Sequence, residues 1–206
     1  GPNTGGMGAY SSDELLPGAL REQIVREIVE PTLRGLKTEG IRYQGFLYVG
    51  VMLTKAGPKV LEFNTRLGDP ETQAIVARMD FDLAEVLADV AAGRLDASKL
   101  KWKPGASACV VLTSSGYPGK FETGKVIHGL QEAESVAGVK VLHAGTKRSG
   151  GEIVTGGGRV LGVTAAGESL EQALEKAYRA AGKIRFDGVH YRKDIGAHAS
   201  VRAAGD

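Results

Sequence analysis

Apolar residues recur at helical spacing between residues 17 and 37. The stripe consists of Leu20, Ile24, Val25, Ile28, Val29, Leu33 and Leu36. Pro31 lies inside this pattern and must interrupt or bend the helix, because its ring removes one backbone donor. The pattern therefore predicts two helical pieces or one bent helix.

A strand pattern follows, rich in aromatic and β-branched residues, over residues 45–53. Residues 54–58 have the composition of a turn, and residues 59–64 form a returning strand, so an antiparallel hairpin is expected. Because side chains alternate between the two faces of a strand, Leu61 and Phe63 are expected to enter the core. Glu62 and Asn64 then share the opposite face.

Two more helices are indicated before residue 95. The first starts at Asp69 and Pro70, with Asp69 as N-cap and Pro70 at the first helical position. Its apolar side consists of Ile75, Val76 and Met79. The second starts at Asp82 and stops at Gly93, which favours a helix end. Its inward residues are Leu83, Val86, Leu87 and Val90.

The character of the chain changes between residues 95 and 105. Short alternating segments separated by glycines follow at residues 107–113, 125–128, 140–143, 152–155 and 159–165. They predict a small antiparallel sheet or partly open barrel. A helix over residues 169–183, capped by Ser169 with Gln172, closes it. The fold class is therefore α+β, with one domain in residues 1–100 and a second in residues 101–206.

Composition narrows the functional classes. The 206 residues include 30 glycines without a period, which suggests tight turns and places where a ligand approaches the backbone. The net charge of +2 is spread along the chain, so no nucleic-acid surface is expected. The single cysteine, Cys109, fits a reducing compartment. Neither a membrane span nor a signal peptide is visible, and a cytoplasmic location is expected.

Three polar motifs carry candidate chemistry. Glu62 and Asn64 offer a carboxylate and an amide oxygen, which are the ligands that Mg²⁺ prefers, and Arg66 could hold a phosphoryl group. The same three residues would also fit an exposed strand edge without a ligand. A helix start at residues 69–73 is a natural anion site, although its acidic residues favour an amine substrate or simple capping. The glycine-rich residues 1–10 could approach a ligand, form a flexible terminus or carry a tag remnant.

The order and wording of these motifs are specific when taken together. GPNTGGMGAYS, GFLYVGVML and EFNTRLGDPETQ, followed by SSGYPGKFETGKVIHGL, VTGGGRVLGVTA and YRKDIG, resemble the glycinamide ribonucleotide synthetase family of ATP-grasp enzymes over essentially the whole chain. Ser12 departs from the usual proline of that family, which affects one turn. The resemblance implies a partial ATP-grasp domain, an antiparallel hairpin with helices, followed by a small C-terminal antiparallel β domain.

The resemblance also implies an activity, which is the ATP-dependent ligation of glycine to phosphoribosylamine in purine biosynthesis through a glycyl phosphate. Arg66 would be catalytic, and Glu62 and Asn64 would bind Mg²⁺ or Mn²⁺ beside ATP. The residues implied on the substrate side are Pro2, Asn3, Thr4, Gly5, Gly6, Met7, Asp69, Pro70, Glu71, Thr72 and Gln73. The implied partners are small molecules only, and the full enzyme is expected to be a monomer without nucleic-acid or membrane partners.

In that family the glycine-rich loop stands near mid-chain, so the chain is expected to correspond to the C-terminal half and to be inactive alone. Two alternatives remain open at this point. One is another ATP-grasp enzyme, such as a biotin-dependent carboxylase, which shares a similar Glu-x-Asn-x-Arg strand. The other is a binding module that has kept the fold without turnover.

Overall fold

The computed structural model describes residues 6–197 and 199. Its strands are β1 Gly8–Ser12, β2 Tyr48–Thr54, β3 Gly57–Asn64, β4 Ala106–Thr113, β5 Val139–His143, β6 Thr146–Ser149, β7 Glu152–Thr155 and β8 Arg159–Gly167. Its α-helices are α1 Gly18–Ile24, α2 Glu30–Thr38, α3 Glu71–Arg78, α4 Leu83–Ala91, α5 Leu130–Glu134 and α6 Leu170–Ala181. The mixture of helices and antiparallel sheets confirms the α+β prediction.

The chain forms two compact units. Unit 1 contains Gly1–Asp13, Asp69–Arg78 and Lys103–Asp206, and unit 2 contains Glu14–Gly68 and Met79–Trp102. Two segments from the first hundred residues therefore belong to the same unit as the C-terminal part. The division into domains near residue 100 stays a prediction.

In unit 2 the helical run predicted around Pro31 is present. A π-helical turn, Val25–Val29, joins α1 to α2, and Pro31 lies in the first turn of α2. Proline has no N–H to donate to the preceding turn of the helix. The wider π-helical turn lies where that hydrogen bond is missing. Only Ile28 of the predicted apolar stripe is buried in unit 2, while Val25 and Leu33 are exposed. The prediction of the helix is confirmed, and most residues of its stripe are only half-buried.

The hairpin of β2 and β3 is confirmed, with Thr54 opposite Gly57 across a short turn. The expectation that Leu61 and Phe63 enter the core is wrong, because their exposed fractions are 63% and 45%. The two strands form a sheet by themselves. A two-stranded ribbon has no interior of its own, so an alternating pattern buries a face only where another element covers it.

Helix α4 begins as predicted. The Asp82 carboxylate accepts hydrogen bonds from the backbone N–H groups of Ala84 and Glu85, at 2.8 and 3.2 Å. Gly93 follows the helix with φ of +68°, the left-handed conformation that ends helices cheaply only at glycine. Both ends of this helix were therefore readable from local sequence.

Unit 1 is built on an open, fully antiparallel sheet in the order β1-β4-β8-β5. Its edge strand β1 was missed, because residues 1–10 were interpreted as a glycine-rich loop or terminus. Residues 125–128 were predicted as a strand, but only isolated bridges occur there, Val126 with Val154 and His128 with Arg185. A separate two-stranded sheet pairs β6 with β7. The described strands form open sheets, so of the two expected arrangements the antiparallel sheet is confirmed and the partly open barrel is wrong.

The central strand β4 is buried along its whole length. Val110 and Leu112 lie in the core that also takes in Ala177 and Ala181 of α6. On the alternate positions, the Ser107 hydroxyl donates to the Ala74 carbonyl of α3 at 2.6 Å. Helices therefore cover both faces, which explains why this strand is apolar without alternation.

Helix α6 begins at the predicted cap, where the Ser169 hydroxyl accepts from the Gln172 N–H at 3.2 Å. Cys109, on the α3 side of β4, is also fully buried, and burial raises the pKa of its thiol to about 11. The thiol is therefore held neutral, as expected of a packing residue. None of the described helices is long and apolar enough to cross a membrane.

A buried cation joins the three segments of unit 1. Arg78, at the end of α3, donates to the Ser11 hydroxyl at 3.0 Å and, from two nitrogens, to the Lys103 carbonyl at 3.0 and 3.2 Å. It also pairs with the Asp13 carboxylate. The hydrogen bond from Arg78, with a second from the Gly105 N–H, lowers the pKa of Asp13 below its ordinary 3.8.

We expect Arg78→Met to lower the free energy of unfolding by about 2 kcal/mol, since the Lys103 carbonyl and the half-buried Ser11 hydroxyl lose their charged donor. The loss should shrink in acid. A carboxyl with a lowered folded-state pKa stabilises fully above its unfolded value, and that contribution disappears as the pH falls through the folded-state pKa. Urea titrations at neutral pH and near pH 3 measure both effects.

Arg179→Met is the matched control, because Arg179 is exposed and meets Glu175 at 3.7 Å on α6. Its effect should stay within about 0.5 kcal/mol. Equal losses in the two variants would contradict the role assigned to Arg78.

Candidate functional site

Strand β3 places Glu62 and Asn64 side by side on one face. The Asn64 amide nitrogen donates to a Glu62 carboxylate oxygen at 3.0 Å. Gly50 lies opposite Glu62 across the hairpin, next to a register shift between Gly50 and Val51. A Cβ at position 50 would lie 3.1 Å from Glu62 Cγ, so the glycine leaves space for the carboxylate side chain. The structure thus brings together the two residues singled out as metal ligands.

This pair has the donor chemistry for one divalent cation. A carboxylate oxygen and an amide oxygen are both hard ligands, and groups in hydrogen-bond contact are close enough to share an ion. The amide would have to turn its oxygen, rather than its nitrogen, towards the metal. With only two protein ligands, the remaining positions would fall to water or to phosphate oxygens. Among residues 6–197, no group of three or more His, Cys, Asp and Glu side chains is arranged to hold a metal.

Arg66 follows β3 by two residues and is exposed. One guanidinium nitrogen donates to the Leu67 carbonyl at 3.0 Å, which anchors the side chain to its own loop. A guanidinium carries five N–H donors in a planar fork. This single contact therefore leaves Arg66 with the donors needed for a phosphoryl group.

In unit 1, Asp69 is held by an arginine that sequence reasoning missed. Arg159, the first residue of β8, donates to the Asp69 carboxylate and to the Asp69 carbonyl, each at 2.7 Å. The same guanidinium reaches the Gly6 carbonyl at 3.5 Å. Gly6 and Asp69, two residues expected on the substrate side, are thus joined through one side chain.

The role of Asp69 as N-cap is corrected by these contacts. Its other carboxylate oxygen accepts from the Gln73 side-chain amide at 3.0 Å. Pro70 is buried and precedes α3, which begins at Glu71 rather than at Pro70. Both carboxylate oxygens of Asp69 therefore accept hydrogen bonds from side chains. The sequence pattern indicated only a helix start, where an aspartate commonly accepts from backbone N–H groups.

The other substrate-side residues divide between described and undescribed positions. Met7 is buried, and Glu71, Thr72 and Gln73 are half-buried in the first turn of α3. On this helix Val76, expected on the apolar side, is exposed, and Ala74 and Arg78 are the buried positions. The remaining candidates, Pro2, Asn3, Thr4 and Gly5, lie outside the described residues.

A pocket of about 540 Å³ in unit 1 was also missed. It is lined by Ser115, Gly116, Lys120, Phe121, Glu122, Lys125, Asp187 and Gly188. Lys125 pairs there with Glu122 at 3.0 Å and with Asp187 at 3.2 Å. The sequence signal for Arg159 and for six residues of this pocket was membership of the long motifs VTGGGRV and SSGYPGKFETGK, whereas Asp187 and Gly188 lie outside both motifs.

The sequence of this chain matches two family models. Residues 1–72 match the model of the phosphoribosylglycinamide synthetase ATP-grasp (A) domain, and residues 107–198 match that of the phosphoribosylglycinamide synthetase C domain. Two consecutive domains of one enzyme thus account for most of the chain. The chain belongs to the phosphoribosylglycinamide synthetase family. The resemblance drawn from its motifs is confirmed.

Individual relatives agree with this family. A phosphoribosylamine–glycine ligase of Vibrio cholerae is 48% identical over 98% of this chain and 47% of its own length. The crystal structure of phosphoribosylamine–glycine ligase from Thermotoga maritima has 37% identity and a TM-score of 0.82, covering 95% of this chain and 47% of that one. The chain therefore spans about half the length of the curated relatives it matches.

A more distant structure shows the fold alone. The biotin carboxylase domain of the Hydrogenobacter thermophilus 2-oxoglutarate carboxylase has a TM-score of 0.61 and 18% identity, covering 89% of this chain and 40% of that one. This carboxylase domain thus has a similar fold to the chain. The family models that the sequence matches are those of phosphoribosylglycinamide synthetase.

Proposed function

We propose that this chain is the part of a ligase that joins glycine to 5-phosphoribosylamine, using ATP and a divalent cation, Mg²⁺ or Mn²⁺. The products would be glycinamide ribonucleotide, ADP and phosphate, in purine biosynthesis. The proposal includes a cytoplasmic, monomeric enzyme with small-molecule partners only.

The observation that carries the proposal is the Glu62–Asn64 pair within a family match over nearly the whole chain. The two groups are in hydrogen-bond contact, and Arg66 follows them in an exposed position. A chain that had kept only the fold would have no need for a carboxylate, an amide and a guanidinium in this arrangement.

The chemistry assigns roles to these residues. A glycine carboxylate oxygen attacks the γ-phosphorus of ATP, the bond to ADP breaks, and glycyl phosphate forms. The phosphoribosylamine nitrogen then attacks the carbonyl carbon, phosphate leaves with the electrons of the C–O bond, and the nitrogen loses a proton. Arg66 stabilises the transferring phosphoryl group. A cation held by Glu62 and Asn64 would offset phosphate charge.

The substrate side is assigned to residues 2–7 and 69–73. Gln73 supports this assignment with one detail. A carboxylate only accepts hydrogen bonds, so the Gln73 nitrogen must face Asp69 and its oxygen must point away. That oxygen is buried and has no hydrogen-bond partner among the described residues. A substrate amine or hydroxyl would satisfy it.

The test uses the natural protein that contains this chain. Production of ADP should require glycine and phosphoribosylamine together, and mass spectrometry should find glycinamide ribonucleotide. If ATP hydrolysis instead requires bicarbonate and biotin, and proceeds without glycine and phosphoribosylamine, the carboxylase alternative is established.

The 206-residue chain by itself should bind Mg·ATP no more tightly than about millimolar and should form no product. Glu62 and Arg66 are exposed here, so phosphates beside them stay solvated and their charges screened. Isothermal titration calorimetry and a product assay measure this. Micromolar binding, or measurable turnover, would contradict it.

A further inference from the structure

The contacts of Arg159 connect three residues assigned to the substrate side. Its guanidinium donates to the Asp69 carboxylate and carbonyl, and more weakly to the Gly6 carbonyl. Asp69 in turn accepts from the Gln73 amide. One charged side chain thus reaches Gly6 directly and Gln73 through Asp69.

The backbone of Arg159 is held by its neighbours. It opens strand β8, where its register partner is Thr113 of β4, and its carbonyl accepts from the Gly145 N–H at 2.8 Å. A Cβ at position 145 would lie 2.5 Å from that carbonyl oxygen, so the backbone around Arg159 is tightly packed. Because the backbone is already held, only the side chain has to be ordered when the guanidinium binds, and its planar fork of donors can hold two groups in fixed positions.

Gly6 fits around this side chain. Its φ is +70°, and a Cβ there would lie 2.1 Å from the Arg159 guanidinium and 2.6 Å from the Asp69 carbonyl oxygen. A residue with a side chain could occupy this position only by displacing the arginine or the backbone of Asp69. The conformation at residue 6 and the position of Arg159 are therefore coupled.

We propose that Arg159 is a positioning residue for substrate binding, acting through Asp69 to fix the amide of Gln73. While Arg159 holds one carboxylate oxygen, the other orients the Gln73 nitrogen. The Gln73 oxygen is then presented as an acceptor for the amine or hydroxyl of a substrate. This assignment rests on the proposed function, because it takes residues 69–73 as part of the glycine and phosphoribosylamine site.

Kinetics of the natural protein test the substrate part. Arg159→Ala should raise the KM of glycine or phosphoribosylamine roughly tenfold or more, leaving the KM of ATP within about twofold. Arg159→Lys should recover part of the loss. Asp69→Asn should resemble Arg159→Ala, and the double variant should be no worse than the worse single one, as expected for groups acting in series. Arg179→Ala is the control and should change neither constant.

A fall in kcat with every KM unchanged would reduce Arg159 to a purely structural residue and overturn the proposal. So would additive effects of the two single variants.

Hydrogen exchange on the 206-residue chain tests the positioning part without any activity. Arg159→Ala should speed exchange of the backbone amides at residues 6–8, 69 and 71–73 by at least about tenfold, with the amides of α6 unaffected. Unchanged exchange in both segments would overturn the positioning role, even if ligase activity were demonstrated. Faster exchange combined with a natural protein that lacks ligase activity would support the coupling and remove the proposed function instead.

Discussion

Glu62→Gln is expected to lower ligase activity of the natural protein by roughly a hundredfold or more, because a divalent cation supplies several kcal/mol of charge stabilisation. Gln keeps the size of the side chain but removes the negative charge that would attract the metal. The Mg²⁺ concentration for half-maximal activity should rise as well. Steady-state rates measured over a range of Mg²⁺ concentrations give both values.

The fold should be unaffected by this change. Glu62 is exposed, and its hydrogen bond to Asn64 can be replaced by an amide–amide contact. Glu85→Gln is a suitable control, since it removes the same charge from an exposed position on α4 of the same unit. Near-normal turnover of Glu62→Gln at limiting Mg²⁺ would rule out Glu62 as a metal ligand.

Arg66→Lys should lower kcat about 10- to 100-fold with a much smaller effect on the KM of ATP. Lysine keeps the charge but has no planar fork, so it cannot hold two oxygens of a transferring phosphoryl group at once. The substitution would also remove the present hydrogen bond from the Arg66 guanidinium to the Leu67 carbonyl. Initial rates over a matrix of ATP and glycine concentrations separate the two constants.

Arg34→Lys provides the comparison, because Arg34 is exposed on α2 and meets Glu30 at 3.5 Å. It should leave both kinetic constants unchanged. A raised KM of ATP with an unchanged kcat in Arg66→Lys would mean that Arg66 binds the ground state, and its assignment to the transfer step would be wrong.

Part of the candidate site could be predicted from the sequence. Alternation along one strand was enough to place Glu62 beside Asn64, and the 3.0 Å contact confirms that placement. Their role as metal ligands stays a prediction, as does that of Arg66. The link between Asp69 and Arg159 joins residues 90 positions apart, so no local pattern could indicate it.

Local sequence by itself determined the caps at Asp82 and Ser169, the break before Pro31, the hairpin and most strands of unit 1. Each depends on neighbours within a few positions, through backbone hydrogen bonds and φ preferences. The long motifs also determined the family, because they record many constraints at once.

Only the tertiary structure decided which of these elements bury their apolar faces. The alternating Leu61 and Phe63 stayed exposed, whereas β4 became buried on both sides between α3 and α6. Tertiary structure also turned residues 8–12 into an edge strand and engaged Asp69 with Arg159 rather than with its own helix. Burial and ion pairing depend on what packs nearby in space, and those partners lie far away along the chain.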